Sequence, residues 1–197
     1  SSTADIGLYS VTIGISETLL YFSNAASLAI FSRVKNEPEQ QASDAKTVLR
    51  HVLPIAIGLS LLLAFVGEYI IVIFFGNAFA ASNSALKLIL PGITVYTIYP
   101  IVSAYLINIG KSSLASVCSI LGLCGNVVLN ILLIPRLGIE GAALSASISY
   151  TATALFSLMI FVRHSQSSMG SALLLSTADI KKIKNYIAHI ANFTNYR

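Results

Sequence analysis

Charge is what this sequence has least of. Asp, Glu, Lys and Arg make up 10% of 197 residues, against 55% hydrophobic residues. A soluble domain carries about 25% charged residues, so a chain with mean hydropathy +0.79 cannot cover itself with polar surface in water. A disordered chain is excluded as well, because disorder needs low hydrophobicity and high charge. Tryptophan is absent, while nine Tyr and nine Phe are present. The only two cysteines, Cys118 and Cys124, lie six residues apart in one apolar run. That is about 9 Å along a helix, too far for a disulfide, and both read as ordinary lipid-embedded residues. There is no P-loop, no nucleophile elbow and no zinc-ligand spacing. The three histidines, His51, His164 and His189, are isolated from one another in sequence. The chain is therefore not read as an enzyme, and no catalytic residue, metal site or cofactor is expected.

What is present is a set of five apolar runs, at about 6–32, 48–75, 85–109, 112–134 and 139–162. Each can cross a hydrocarbon core about 30 Å thick. A spanning segment must satisfy its own backbone groups, so the runs are helices; transmembrane strands are shorter and alternate in polarity. The fold class expected is an all-α polytopic transmembrane bundle over 1–163, followed by a tail over 164–197. Net charge is +4, with pI about 9.1, but the basic residues sit in the polar segments between runs, so nucleic acid is not expected as a partner. Ten of the twelve fall on one side: Arg33, Lys35, Lys46, Arg50, Lys111, Arg163, Lys181, Lys182, Lys184 and Arg197. Only Lys87 and Arg136 fall on the other. The positive-inside rule puts the ten in the cytoplasm, the N-terminus outside and the C-terminus inside. No cleavable signal peptide is visible, and the opening polar pentapeptide suggests a fragment.

The segment 33–47, with Pro38, reads as a cytoplasmic loop with a short helix in its second half. In the tail, Ser176 and Asp179 make a helix start. Ile180, Ile183, Ile187 and Ile190 then share one face, with Lys181, Lys182 and Lys184 on or beside the other. A basic amphipathic helix over about 177–193, lying on the inner leaflet, is the expectation; a frayed tail is the alternative.

Polar residues inside the spans carry the functional signal. Ser10, Gly14, Glu17, Tyr21 and Asn24 fall on one face of run one, opposite Leu8, Ile15, Leu19, Phe22 and Ala26. A mid-span carboxylate is costly in lipid. Glu17 reads either as a cavity acid that couples a cation or proton, or as a protonated glutamate bonded to a neighbouring helix. Run three carries Gly92, Tyr96, Tyr99 and Ser103 on one face, with Pro91 and Pro100 as hinge candidates. Prolines are also simply tolerated in membrane helices. Run four aligns Ser112, Ser116, Ser119, Gly122, Asn126 and Asn130, which either line a polar path or bind helices together. Run five aligns Gly141, Ser145, Ser149 and Thr153 as a packing seam. The candidate cavity or coupling residues are thus Glu17, Tyr21, Asn24, Tyr96, Tyr99, Asn126 and Asn130.

Four stretches together have a family character: Asp5 to Ser10, Phe74 to Phe79, Asn108 to Lys111, and Asn126 to Ala143 with its Ile134-Pro135-Arg136-Leu137-Gly138 core. Their order and spacing resemble the C-terminal half of O-antigen and polysaccharide flippases. That superfamily also holds multidrug exporters of the MATE type and peptidoglycan lipid flippases. The resemblance implies two six-helix lobes around a central cavity, of which this chain would supply the second to sixth helices of the C-terminal lobe. It implies translocation of an undecaprenyl-diphosphate-linked oligosaccharide across the inner membrane by alternating access, in polysaccharide, O-antigen and lipopolysaccharide biosynthesis. The implied partners are the lipid-linked oligosaccharide, membrane lipids, a coupling cation or proton and polysaccharide assembly proteins. Relatives often place Arg or Lys in the cavity for the diphosphate; no basic residue lies deep inside a span here. An ion-coupled MATE-type multidrug exporter and a non-transporting truncated membrane scaffold stand as alternatives.

Overall fold

The computed structural model describes residues 3–31, 37–166 and 168–173. Among these residues every regular element is helical: α1 (Thr3–Ser16), α2 (Thr18–Phe31), α3 (Pro38–Phe75), a 3-10 turn (Asn77–Phe79), α4 (Ser82–Tyr96), α5 (Ile98–Asn108), α6 (Ser112–His164) and α7 (Met169–Leu173). Three stretches are long and apolar enough to cross a membrane: Glu39–Phe75, Ser82–Asn108 and Ser112–His164. The last is 53 residues long, about 80 Å if straight, more than twice a hydrocarbon core. It is not straight. Gly138, at φ 56° and ψ −130°, folds it back on itself, a backbone state that suits glycine. Close approaches of Gly141 to Leu133 and of Gly122 to Thr153 show the two arms, 112–137 and 139–164, running antiparallel. Run one divides into α1 and α2, of 14 residues each.

Run two differs from its expected outline. Its helix begins at Pro38, not near residue 48, and runs unbroken to Phe75. Proline suits the first helical turn because it lacks the N–H that would be orphaned there. The polar stretch 38–47, expected as loop with a short helix, is a continuous extension of the spanning helix. The amphipathic helix expected at 177–193 lies outside the described residues.

Run one and run three are each interrupted near the middle. Between α1 and α2, Ser16 Oγ donates to Ile13 O (3.0 Å) and Thr18 Oγ1 to Ile15 O (2.7 Å). Leu20 N reaches Glu17 O at three-residue spacing (2.9 Å), beside the longer four-residue bond from Tyr21 N (3.3 Å), so the helix tightens locally at Glu17. Short polar side chains that back-bond in this way loosen the α-ladder. Between α4 and α5 the break is at Thr97, whose N–H and hydroxyl both donate to Thr94 O. Pro100 removes the N–H that would have bonded Tyr96 O.

Packing follows these breaks. One core gathers Val11, Ile15, Leu19, Ile71, Ile89 and Ala143 toward the Gly138 end. A second gathers Ile30, Leu49, Ile101, Leu106, Leu158 and Phe161 toward the Lys111 end. Buried Ser23, Thr94, Thr97, Ser149 and Thr153 lie between them. Hydrogen bonds strap run one to run three along its length: Ser82 Oγ to Leu8 O (2.8 Å), Ser23 Oγ to Thr97 O (2.5 Å) and Asn108 Nδ2 to Ile30 O (2.8 Å). The middle strap holds the carbonyl at the helix break itself.

A candidate substrate trough

Three cavities follow the seams that join run one, run three and α6. The first, about 230 Å³, lies between Asp5, Tyr9 and Ser10 on α1 and Asn130, Gly138 and Ala142 on α6. The second, about 240 Å³, lies between Tyr96 and both arms of α6, with Ser119, Asn126, Ser149, Tyr150 and Thr153 on its walls. The third, about 410 Å³, lies between Leu20, Asn24 and Ser27 of α2 and Tyr96, Tyr99, Pro100 and Ser103 of run three. Tyr96 is common to the second and third. Asn130 Nδ2 donates to Asn126 Oδ1 (2.9 Å), linking the walls of the first and second. Neither the second nor the third cavity has a charged residue in its wall.

The floor is aromatic. The Tyr96 ring stacks on Tyr99 at 5.3 Å and packs at 4.6 Å against Tyr150. Tyr99 is anchored: its hydroxyl donates to Ala115 O (3.0 Å) and meets Ser119 Oγ at short distance. Gly92 sets how close run three comes to the returning arm. A methyl group there would overlap the Ser147 backbone, and Gly92 N donates to Ser147 Oγ (3.0 Å). The proline at 91 and the glycine at 92 thus let α4 press against α6, which carries Tyr96 to Tyr150.

Five of the seven residues singled out from sequence converge here. Asn24, Tyr96 and Tyr99 share the third cavity, Asn126 faces Tyr96 in the second, and Asn130 lines the first. Glu17 lies half-buried at the α1–α2 break and lines none of the three. Tyr21 is 69% exposed and stays outside the trough, and Phe22, on the face opposite the polar stripe, is exposed too. Of the hinge candidates, Pro100 lines the third cavity and Pro91 sits beside the Gly92 contact. Tyr9, Ser149 and Tyr150 were not picked out as site residues. Tyr150 is a large aromatic in an otherwise small-residue stretch of run five, and that contrast was its only signal. Among the described residues no group of three or more His, Cys, Asp or Glu could hold a metal ion.

A polytopic helical lobe with mid-span breaks and a polar trough crossing it is the architecture of a membrane transporter, in which irregular backbone is tolerated where it lines a cavity. The comparisons with known proteins narrow the class. The family model described as "Lipid II flippase MurJ" matches residues 18–195. The chain belongs to that family, a family of flippase transporters within the MATE-like superfamily. No curated protein and no solved structure matches the chain.

Proposed function

We propose that the chain is part of a flippase that carries lipid II, in place of the O-antigen lipid expected from sequence, across the cytoplasmic membrane by alternating access. The observation that carries this reading is the family match over 18–195, and the trough of Asn24, Tyr96, Tyr99 and Asn126 offers an uncharged, hydrogen-bonding path for a glycan head group. In this reading the Lys111 end faces the cytoplasm, because ten of the twelve basic residues gather on that side. Run three flexes at Thr97, between Pro91 and Pro100, as the path opens and closes. Glu17, at the matching break in run one, exchanges a proton or cation with the path. No basic residue lies deep in these spans, so the diphosphate is met elsewhere.

The test is translocation by the full-length protein in vesicles loaded with fluorescent lipid II. Protein-dependent appearance of label in the opposite leaflet is expected. Glu17→Gln, which keeps size and hydrogen bonding but removes the titrating proton, should reconstitute equally and flip more slowly. Movement of organic cations with no movement of lipid II would contradict the substrate. Full flipping by Glu17→Gln would make Glu17 a structural residue.

A further inference from the structure

A fourth cavity, about 490 Å³, lies between the α3 extension and the close of α6. Glu39, Ala42 and Lys46 of α3 line it together with Tyr105 of α5 and with His164 and Ser165. Its walls are fixed. His164 Nδ1 donates to Ile160 O (3.0 Å) and Ser165 N to Phe161 O (2.8 Å). Arg50 ties α7 back to α3, its Nε donating to Ser171 O (3.0 Å), and Ala172 is fully buried in the second core. Glu39, Ala42 and Lys46 follow at spacings of three and four, so they share one face of α3. Acid and base thus stand about 10 Å apart along the helix, with a buried alanine between them. Lys46 lies about 3 Å beyond the apolar run that begins near residue 48, and Glu39 lies about 10 Å further out. Tyr105 is 2% exposed and packs edge-on against Phe161 at 4.9 Å. Its hydroxyl is bonded to no other described residue, yet it is not sealed from the surface. An almost wholly buried side chain therefore turns an unpaired polar tip to this cavity, and such groups are uncommon enough in native structures to call for an explanation.

We infer that this cavity holds the headgroup of a phosphatidylethanolamine from the adjoining leaflet, its phosphate on Lys46 and the Tyr105 hydroxyl and its ammonium on Glu39. In that headgroup the phosphate is next to the glycerol and the amine is at the free end. The cavity repeats the order, with its base beside the apolar run and its acid toward water. A purely anionic headgroup would meet the Glu39 carboxylate, and a trimethylated amine has no N–H to give it. The Lys46 ammonium has three donors, so it can meet a phosphate beside the contact it already makes. The volume falls within the roughly 300–1,000 Å³ of small-ligand pockets. The site lies apart from the trough, and the assignment does not depend on which lipid the protein transports.

The experiment is native mass spectrometry of the full-length protein released from nanodiscs that hold equal parts of phosphatidylethanolamine, phosphatidylcholine and phosphatidylglycerol. Phosphatidylethanolamine should be retained about tenfold over phosphatidylcholine, the difference expected from one charge-assisted hydrogen bond. Glu39→Gln should lower that ratio to about two, since a neutral amide bonds an ammonium more weakly than a carboxylate does. An acid in the first helical turn also favours the helix dipole, but losing that alone would lower thermal stability and leave the ratio unchanged. Tyr105→Phe keeps the ring on Phe161 and should weaken retention of both lipids about fivefold, with the ratio kept. Equal retention of the ethanolamine and choline lipids by the wild type, or an unchanged ratio in Glu39→Gln, would overturn the assignment. Unchanged retention in Tyr105→Phe would contradict it as well. Preference for phosphatidylglycerol would make the cavity an anion site, and displacement of the bound lipid by millimolar inorganic phosphate would make free phosphate its ligand; either result overturns the headgroup proposed here.

Discussion

Gly92 and Ser147 show how much of the trough depends on single atoms. The α4 backbone reaches the returning arm of α6 only because residue 92 has no side chain, and the Gly92 amide finds its partner in the Ser147 hydroxyl. Gly92→Ala forces a methyl group into backbone that has nowhere to go, so a loss of about 1–3 kcal/mol is expected. Ser147→Ala removes the hydroxyl that the Gly92 N–H reaches, at a cost of about 0.5–1.5 kcal/mol. Thermal unfolding in detergent checks both. Unchanged stability in Gly92→Ala would mean that the helices do not touch here. At this scale the sequence was a good guide to which face of a helix is polar, because periodicity alone sets that. It was a poor guide to which faces meet. Tyr96 was visible as a polar aromatic in run three, but its packing on Tyr150 depends on the Gly92 approach, which no spacing within one helix encodes.

Helix breaks belong to the next scale. Glycines at 76, 110 and 138, read in the sequence at the ends of apolar runs, each take positive φ at a turn. The extension of α3 back to Pro38 was not legible. The stretch Glu39 to Lys46 is polar nearly all round, and polarity without periodicity reads as loop even where Glu, Gln, Ala and Lys favour helix. The prolines of run three pointed to a bend, and the break falls between them at Thr97. The break at Glu17 has no proline and arises from Ser16 and Thr18 bonding back to carbonyls. If the Thr97 break serves movement, Pro100→Ala, which restores an N–H for Tyr96 O, should straighten α4 into α5. Insertion and abundance should be preserved and lipid II flipping slowed severalfold. Wild-type flipping rates in Pro100→Ala would assign the break to packing alone.

Across the whole molecule, two apolar cores stand at opposite ends of the lobe with a buried polar layer and both helix breaks between them. Two members of that layer, Ser149 and Thr153, line the second cavity, so part of the buried polar layer is also trough wall. In the proposed reading the distribution of basic residues orients this arrangement. A reporter fused after Lys46 or Lys111 should report cytoplasm, and one after Asn77 or Gly138 the exterior; reversed signals would invert the direction of transport assigned here. The all-helical membrane fold and the superfamily were readable from runs and motifs, whereas the kind of lipid-linked substrate was not, because the motifs that carry the resemblance are shared across the superfamily. The most direct test of the central claim, that the trough carries the glycan of a lipid-linked substrate, is photo-adduct mapping. Lipid II bearing a diazirine on a sugar is irradiated with the full-length protein, and the modified residues are identified by mass spectrometry. Adducts should fall on Asn24, Tyr96, Tyr99 or Asn126. Adducts confined to Phe65, Ile73 or Leu132, which face outward from the lobe, would contradict the account.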